Sequence, residues 1–382
     1  MNLLDAIAAA LAALSLALAL WQWLAARQFP LHRRIADPRF APAVSILKPL
    51  KDCDETTAES LESWLHQDYS GPIQVLFGVA ATDDPVVPVV KELLRKHPHC
   101  DVELVVCPEA LGANGKVSTL VQLEKLVKHD LVLVSDGDVR VPPDFLANVV
   151  APLREPPVGL VHCFYRLANP TTAAMRWEAV AINADFWSMV LQAASLKPPD
   201  FALGAVMLLR RDALAQIGGF RALADCVADD FHLGRRISRS GRRLAFCPVV
   251  VECWHAPMRW RDVWGHQLRW ARTIRVCQPL PYFFSILSNA TLWPLLWLCL
   301  SFTAAASLWA APSAMVLMLV RIAVAQNLQR RFTPERELIS PFWFVPLKDL
   351  LQVAVWLGAF AGSTVVWRGQ TMKLRRDGAL EI

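Results

Sequence analysis

Charge is scarce in this chain. Asp, Glu, Lys and Arg make up 19% of its 382 residues, against about 25% in an average soluble protein. Hydrophobic residues reach 54%, and the mean hydropathy is +0.33. That balance excludes a disordered chain, which needs few apolar residues and many charges, and it argues against an ordinary cytosolic enzyme. Charge of one sign is not in large excess either: 39 Lys and Arg face 34 Asp and Glu. The basic residues come in short pairs (Arg33-Arg34, Arg210-Arg211, Arg235-Arg236, Arg242-Arg243, Arg330-Arg331, Arg375-Arg376). A nucleic-acid binder concentrates them in one stripe. Among the nine cysteines no pair has C-x-x-C spacing, which speaks against a zinc ribbon or a redox motif. An odd count without a compact framework fits a reducing compartment, the cytosol, for the water-facing part. No G-x-G-x-x-G follows the first strand pattern and no G-x-x-x-x-G-K-[ST] occurs, so a dehydrogenase-type dinucleotide fold and a P-loop are disfavoured.

Apolar sequence is abundant at both ends. Ala6 to Ala26 is 21 residues without a charge, about 31 Å as a helix and enough for a hydrocarbon core. No Lys or Arg precedes it, and Trp21 and Trp23 stand at its end. These features favour an anchor over a cleaved signal peptide. Asp5 precedes the run and Arg27, Arg33, Arg34 and Arg39 follow it, so the positive-inside rule puts the following segment in the cytoplasm. Val276 to Val320 holds 45 residues without Asp, Glu, Lys or Arg, enough for two spans turning near Ala311-Pro312. A third C-terminal candidate runs over Leu350–Trp367, extended upstream by Phe342-Trp343-Phe344. The charged stretch Gln329–Glu337 is expected in the cytoplasm. Four spans would put the basic tail Lys373-Leu374-Arg375-Arg376 outside, against the rule, unless the last element is re-entrant or interfacial.

The middle of the chain alternates strand and helix patterns. Val44–Leu47, Ile73–Val79, Val102–Val106 and Leu131–Ser135 read as strands, and Thr56–His66, Val86–Lys96 and Lys116–Val127 as helices. This order predicts an α/β domain with a parallel sheet covered on both faces, with ligand beyond the carboxyl ends of the strands. Carboxylates stand at those ends. Asp83-Asp84-Pro85 follows the second strand and Asp136-Gly137-Asp138 the fourth. A lone D-x-D is a common turn. At the edge of a buried strand the same oxygens suit Mg²⁺ or Mn²⁺ bridging a diphosphate. Asp229-Asp230 opens a helical stretch and could serve as a simple cap. His266-Gln267-Leu268-Arg269-Trp270 lies in a stretch rich in Trp and Arg. It reads equally as a membrane-interface helix or as an Arg for phosphate with a Trp for stacking. Thr171–Leu196 reads as an amphipathic helix on the membrane surface, or as a buried domain helix.

The order Asp84, Asp136-x-Asp138, Asp229-Asp230, then Arg269-Trp270 before the apolar tail resembles processive-type family 2 and ceramide-glucosyltransferase-like (family 21) membrane glycosyltransferases. The resemblance extends over nearly the whole chain, through Val44–Lys51, Asp83-Asp84-Pro85, Gly159-Leu160-Val161-His162, Arg210-Arg211-Asp212 and Gly218-Gly219. Gly112–Val117 and Leu167–Thr172 resemble the bacterial hopanoid-associated branch. The resemblance implies a GT-A-type, mostly parallel sheet flanked by helices. It implies one N-terminal and two to three C-terminal transmembrane helices, in a bacterial cytoplasmic membrane. The expected layout is an anchor at 1–27, a cytoplasmic catalytic domain at 40–275 with an interfacial helix at 171–196, a membrane region at 276–367 and a tail at 368–382.

The implied activity is inverting transfer of one sugar, N-acetylglucosamine or glucose, from a UDP-sugar to a membrane-lipid hydroxyl. The acceptor would be a hopanoid polyol, or alternatively a ceramide-like lipid. By motif, Asp84 would contact the uridine, with Lys116 nearby. Asp136 and Asp138 would hold the sugar diphosphate and its Mg²⁺ or Mn²⁺. Asp230 would be the base, and Arg269 and Trp270 would close the site. His162, His266, Gln267 and Asp229 are candidates for acceptor or diphosphate contact. The family's [Gln/Arg]-x-x-Arg-Trp begins with His266 here, and the ceramide branch is not acidic at the position of Asp138. A processive polysaccharide synthase would need a larger membrane part than three C-terminal spans provide. A non-enzymatic lipid-binding scaffold on the same fold is the third reading.

Overall fold

Apolar runs bounded by Gly, Pro and Asp set the elements. In chain order they begin with α1 (Leu3–Gln28), β1 (Val44–Leu50), α2 (Thr57–Glu62), β2 (Ile73–Val79), α3 (Val86–Lys96), β3 (Asp101–Val106), α4 (Gly115–Glu124), β4 (Leu131–Ser135), β5 (Val139–Arg140), α5 (Phe145–Val150) and β6 (Val158–Leu167). They continue with α6 (Ala173–Val180), α7 (Trp187–Leu196), β7 (Val206–Arg210), α8 (Arg211–Gln216), α9 (Asp229–Arg239), β8 (Arg243–Cys253) and α10 (Trp260–Cys277). After these come α11 (Pro279–Phe284), α12 (Leu292–Leu300), α13 (Ala310–Phe332), α14 (Phe344–Phe360), β9 (Thr364–Trp367) and β10 (Gln370–Leu374). The computed structural model describes residues 3–302, 308–334, 339–367, 370–375 and 380–381. It contains a sheet unit, Pro30–Asn169 with Pro198–Ala256, and a helical unit drawn from Met1–Phe29, Pro170–Lys197 and Pro257–Asp377.

In the sheet unit the strands lie in the order β3-β2-β1-β4-β7-β6-β8-β5. The first four are mutually parallel. β7 then runs antiparallel to both β4 and β6, and β8 is parallel to β6. The expected strand-helix alternation thus builds one half, and the whole is a GT-A-like mixed sheet. Side chains alternate faces along each strand, as a period of two requires. Ile46, Val75, Phe77, Leu131 and Leu133 enter one buried cluster with Trp64 and Phe145. Leu47, Leu76, Val132 and Val134 enter another with Val117, Leu120 and Leu123 of α4. Both faces are therefore covered, and a fully buried side chain such as Phe77 contributes about 1.5–3 kcal/mol.

In the helical unit α1 and α13 are long and apolar enough to cross a membrane. The pair Pro279–Ser288 and Leu292–Leu300, bent by 49°, counts as one more span if taken together. Three expectations are corrected. The turn expected near Ala311-Pro312 falls earlier, between the end of α12 at Leu300 and the start of α13 at Ala310, and Pro312 sits in the first turn of α13, where its missing N–H costs nothing. The uncharged run ends at Val320, yet α13 continues through Arg321 to Phe332. The candidate over Leu350–Trp367 is not one continuous helix: α14 covers Phe344–Phe360 with Lys348 and Asp349 inside it, about 26 Å, and Thr364–Trp367 pairs antiparallel with β10. In Gln329–Glu337 residues 335–337, and in the expected tail Arg376 with 368–369, 377–379 and 382, lie outside the described residues.

The catalytic domain expected at 40–275 divides between the units, since Pro170–Lys197 and α10 group with the helices. The stretch expected to be a single interfacial helix is α6, a π-helical turn over Ala181–Phe186, and α7. Most of it is buried, including Trp177, Ile182 and Trp187, and it packs on α1 and α13. At its centre Asp185 pairs with Arg321 at 2.9 Å and with Lys348. Asp349 pairs with Arg321 at 2.8 Å and Lys348 at 2.6 Å. Two positive and two negative groups thus cancel among apolar helices, as burial of charge demands.

Candidate active site

The fourth strand delivers the first site residue. β1, β2 and β4 are parallel, so their carboxyl ends share one edge of the sheet. β4 ends at Ser135, and Asp136-Gly137-Asp138 forms the turn to β5. The Asp136 and Asp138 side chains remain 39% and 34% exposed, while the strand that carries them is fully buried. Beneath them lies Lys48 of β1, which sequence reading passed over. Its Nζ donates to the Asp136 carbonyl at 2.7 Å and to Ser135 Oγ at 3.2 Å, and it sits 4.5 Å from the Trp64 ring. Burial pulls the Lys48 ammonium down to about 7, against the attraction of Asp138 and Asp136. A lysine inside an otherwise apolar strand was the available signal.

A second segment brings in Lys116. Asn114 caps α4, its side chain accepting from the Val117 N–H. The same side chain donates to the Cys226 carbonyl at 2.8 Å, and the Asn114 N–H donates to the Ala224 carbonyl at 2.8 Å. A Cβ on Gly112 would stand 2.5 Å from the Ala224 oxygen, so the two loops approach as only glycine permits there. This clasp sets the start of α4 beside the start of α9. Lys116 Nζ then lies 2.7 Å from Asp136 Oδ1 and 3.2 Å from Asp229 Oδ2. Burial alone would lower the Lys116 ammonium, but Asp136, Asp229 and Asp230 outweigh it and hold it above its usual value.

The third segment is the first turn of α9. Its N-cap is Ala228, without a side-chain cap. Asp229 and Asp230 therefore follow the cap, where the helix dipole favours anions. Asp229 is buried and faces Lys116. Asp230 Oδ1 accepts from the Phe231 N–H at 2.7 Å. A Cβ on Gly204 would stand 2.8 Å from Asp230 Oδ2, so that glycine leaves room for the carboxylate. Burial first, then the Asp229 charge, push Asp230 up to about 6, against the pull of Lys116. A carboxylate with that affinity can take a proton near neutral pH.

Other candidates lie elsewhere. Asp84 sits at the same sheet edge, its carboxylate accepting from the N–H groups of Asp52 and Val86 at 3.0 Å each. His162 does not face open space: it is fully buried in β6. Its Nδ1 accepts from the Leu203 N–H at 3.1 Å, and burial pulls it down to about 3. It is thus a neutral prop for the segment carrying Gly204. His255, not singled out from sequence, has Nε2 3.4 Å from Asp138 Oδ2. Asn169 holds its backbone through two hydrogen bonds of 2.7 and 3.1 Å.

Arg269, Trp270, His266 and Gln267 lie on α10 in the helical unit. There His266 Nδ1 and Gln267 Nε2 meet the buried Glu178 carboxylate at 2.7 and 2.9 Å. The His266 ring lies 4.2 Å from that of Trp270. Glu178, an acidic residue within an apolar segment, is a further residue that sequence reading missed.

The site therefore gathers four carboxylates, Asp136, Asp138, Asp229 and Asp230, with the amines of Lys48 and Lys116, at the carboxyl edge of a GT-A-like sheet. Ceramide glucosyltransferase 3 of Caenorhabditis elegans is 24% identical over 226 residues, covering 57% of this chain and 47% of that protein. An N-acetylglucosaminyltransferase of Bradyrhizobium diazoefficiens is 26% identical over 248 residues, covering 61% and 49%. The chain spans about half the length of the curated relatives it matches. Among solved structures, the mannosyltransferase PcManGT from Pyrobaculum calidifontis, in complex with GDP-Man and Mn²⁺, superposes with a TM-score of 0.56 at 23% identity. The match covers 94% of this chain and 98% of that one, and at that identity it speaks to fold. The family model described as glycosyl transferase family 21 matches residues 7–380, and the chain accordingly belongs to that family.

Proposed function

We propose that this enzyme moves one sugar, N-acetylglucosamine or glucose, from a UDP-sugar to a hydroxyl of a membrane lipid. The observation that carries the reading is the convergence of Asp136, Lys116, Asp229 and Asp230 on one sheet edge. Asp230 is the base. It takes the acceptor's proton as the acceptor oxygen bonds to the anomeric carbon, and the bond from that carbon to the diphosphate breaks. Direct attack opposite the leaving group inverts the anomeric centre. Lys116 places a fixed positive charge beside Asp136, where diphosphate charge grows. Asp84 holds the loop at the nucleotide end.

The exposed oxygens of Asp136 and Asp138, with His255 adjacent, are a hard donor set that fits Mg²⁺ or Mn²⁺. A divalent cation held by Asp136 and Asp138 would supply positive charge for the departing diphosphate. Relatives named for ceramide and for N-acetylglucosamine transfer support both a lipid acceptor and either sugar. A hopanoid polyol is the acceptor that the Gly112–Val117 and Leu167–Thr172 stretches favour. Arg269 and Trp270 are assigned to closing the site, and the apolar helices α1 and α13 to holding the enzyme in a bilayer with the sheet unit in the cytoplasm.

The test is incubation of membranes with labelled UDP-glucose and UDP-N-acetylglucosamine, with and without chelator, followed by mass analysis of the lipid extract. One sugar per lipid, lost on chelation, is the expected result. A polymer would point to a processive synthase, and transfer undiminished by chelator would remove the metal assignment.

A further inference from the structure

The helical unit holds a cavity of about 400 Å³ that contains none of the site carboxylates and is lined by Arg27, Asn327, Arg330 and Arg331. It lies where the carboxyl ends of α1 and α13 meet. Arg331 Nη2 donates to the Arg27 carbonyl at 3.1 Å and to the Phe29 carbonyl at 2.7 Å, tying the two helix ends together. The Arg27 guanidinium lies 4.8 Å from the Trp23 ring. Trp23 Nε1 donates to Asn327 Oδ1 at 2.9 Å, so Trp23 fixes both neighbours. Asn327 Oδ1 is the one acceptor among the four lining side chains, since guanidinium groups only donate, and Trp23 takes one of its two lone pairs. The lining thus brings three guanidinium groups and one amide together.

Like charges gathered in this way suit an anion with several acceptor oxygens, and guanidinium pairs well with phosphate. The volume lies in the range of small-ligand sites, about 300–1,000 Å³, larger than a bare phosphate needs. Both helices are long and apolar enough to cross a membrane, and Trp at a helix end marks the headgroup zone of a bilayer. We propose that this cavity binds a phosphate group, and that its source is the headgroup of an anionic phospholipid. The site rests on reading α1 and α13 as spans and is separate from the sugar-transfer chemistry.

The test uses the full-length enzyme in nanodiscs of phosphatidylcholine with or without phosphatidylglycerol, beside an Arg27→Gln/Arg330→Gln variant that keeps Arg331 and its helix-end bonds. Native mass spectrometry should retain one phosphatidylglycerol per chain in the parent, with affinity about tenfold weaker in the variant. The two proteins should unfold at the same temperature in pure phosphatidylcholine, which separates lost binding from lost folding. Equal retention by both proteins, or displacement of the lipid by inorganic phosphate alone, would overturn the headgroup assignment. Sugar transfer, measured in phosphatidylcholine discs, reports on the active site independently. Its absence with lipid retention intact would sink the functional reading and leave this one standing.

Discussion

Each unit gathers charged side chains in one cluster, and the two clusters differ in how their charge is balanced. In the helical unit Asp185 and Asp349 face Arg321 and Lys348, two against two. In the sheet unit two lysines, Lys116 and Lys48, stand against four carboxylates, Asp136, Asp138, Asp229 and Asp230. The balanced group also has Thr291 Oγ1 donating to Asp349 at 2.6 Å, so its lone pairs are well used. The unbalanced group leaves Asp136 half open and pushes Asp230 up to about 6. A compensated network is how a fold tolerates charge among apolar helices. An excess of carboxylates at a sheet edge is a site prepared for a cation and a proton.

The contrast can be broken from either side. The largest effect is expected from Asp230→Asn, which removes the proposed base without changing side-chain size. Transfer should fall about 10²–10⁴-fold while the unfolding temperature holds, and activity assays beside a thermal melt would check it. Retained transfer would reject the base. In the balanced group Asp349→Asn strips one partner from Arg321 and Lys348. Stability should drop by about 3–5 kcal/mol, read as a lower unfolding temperature in detergent, and an unchanged melt would contradict the network's structural role.

A smaller effect tests the metal end of the open group. His255→Ala removes the ring beside Asp138, and the divalent cation concentration for half-maximal activity should rise about 10–100-fold. A titration superimposable on that of the parent would separate His255 from the site. The mildest change is in the pH profile. Asp230 must be ionised to accept a proton, so kcat/KM should fall as pH drops below about 6. Lys116 holds that value down, so Lys116→Met should move the acid limb to higher pH. A limb that stays in place, or moves to lower pH, would detach Lys116 from the base.

Much of this was legible in the residues, for local reasons. The runs at Ile73–Val79 and Leu131–Ser135 are β-branched and bounded by turn formers, and they are strands with the expected ends. Val86–Lys96 has apolar residues at helical spacing and is a helix with the expected ends. Asp136-x-Asp138 was visible because a turn at the end of a buried strand exposes its carboxylates. Other features depended on distant partners. Lys48 reads as a defect in an apolar strand until Asp136 and Trp64 are placed beside it. Glu178 reads as an isolated charge until α10 brings His266 and Gln267. Pro312 looked like a turn because proline breaks helices in their interiors, but a first-turn proline forfeits no bond.

The sequence by itself determined the strand and helix segments, the two apolar ends and the order of the acidic motifs, because these follow from side-chain periodicity and from charge set against hydrophobic runs. Only the tertiary structure decided that β7 reverses direction, that the Asn114 clasp carries Lys116 between Asp136 and Asp229, and that Arg321 is balanced within its helix bundle. Those outcomes turn on electrostatic and packing energies between residues far apart in the chain, and no local pattern encodes them.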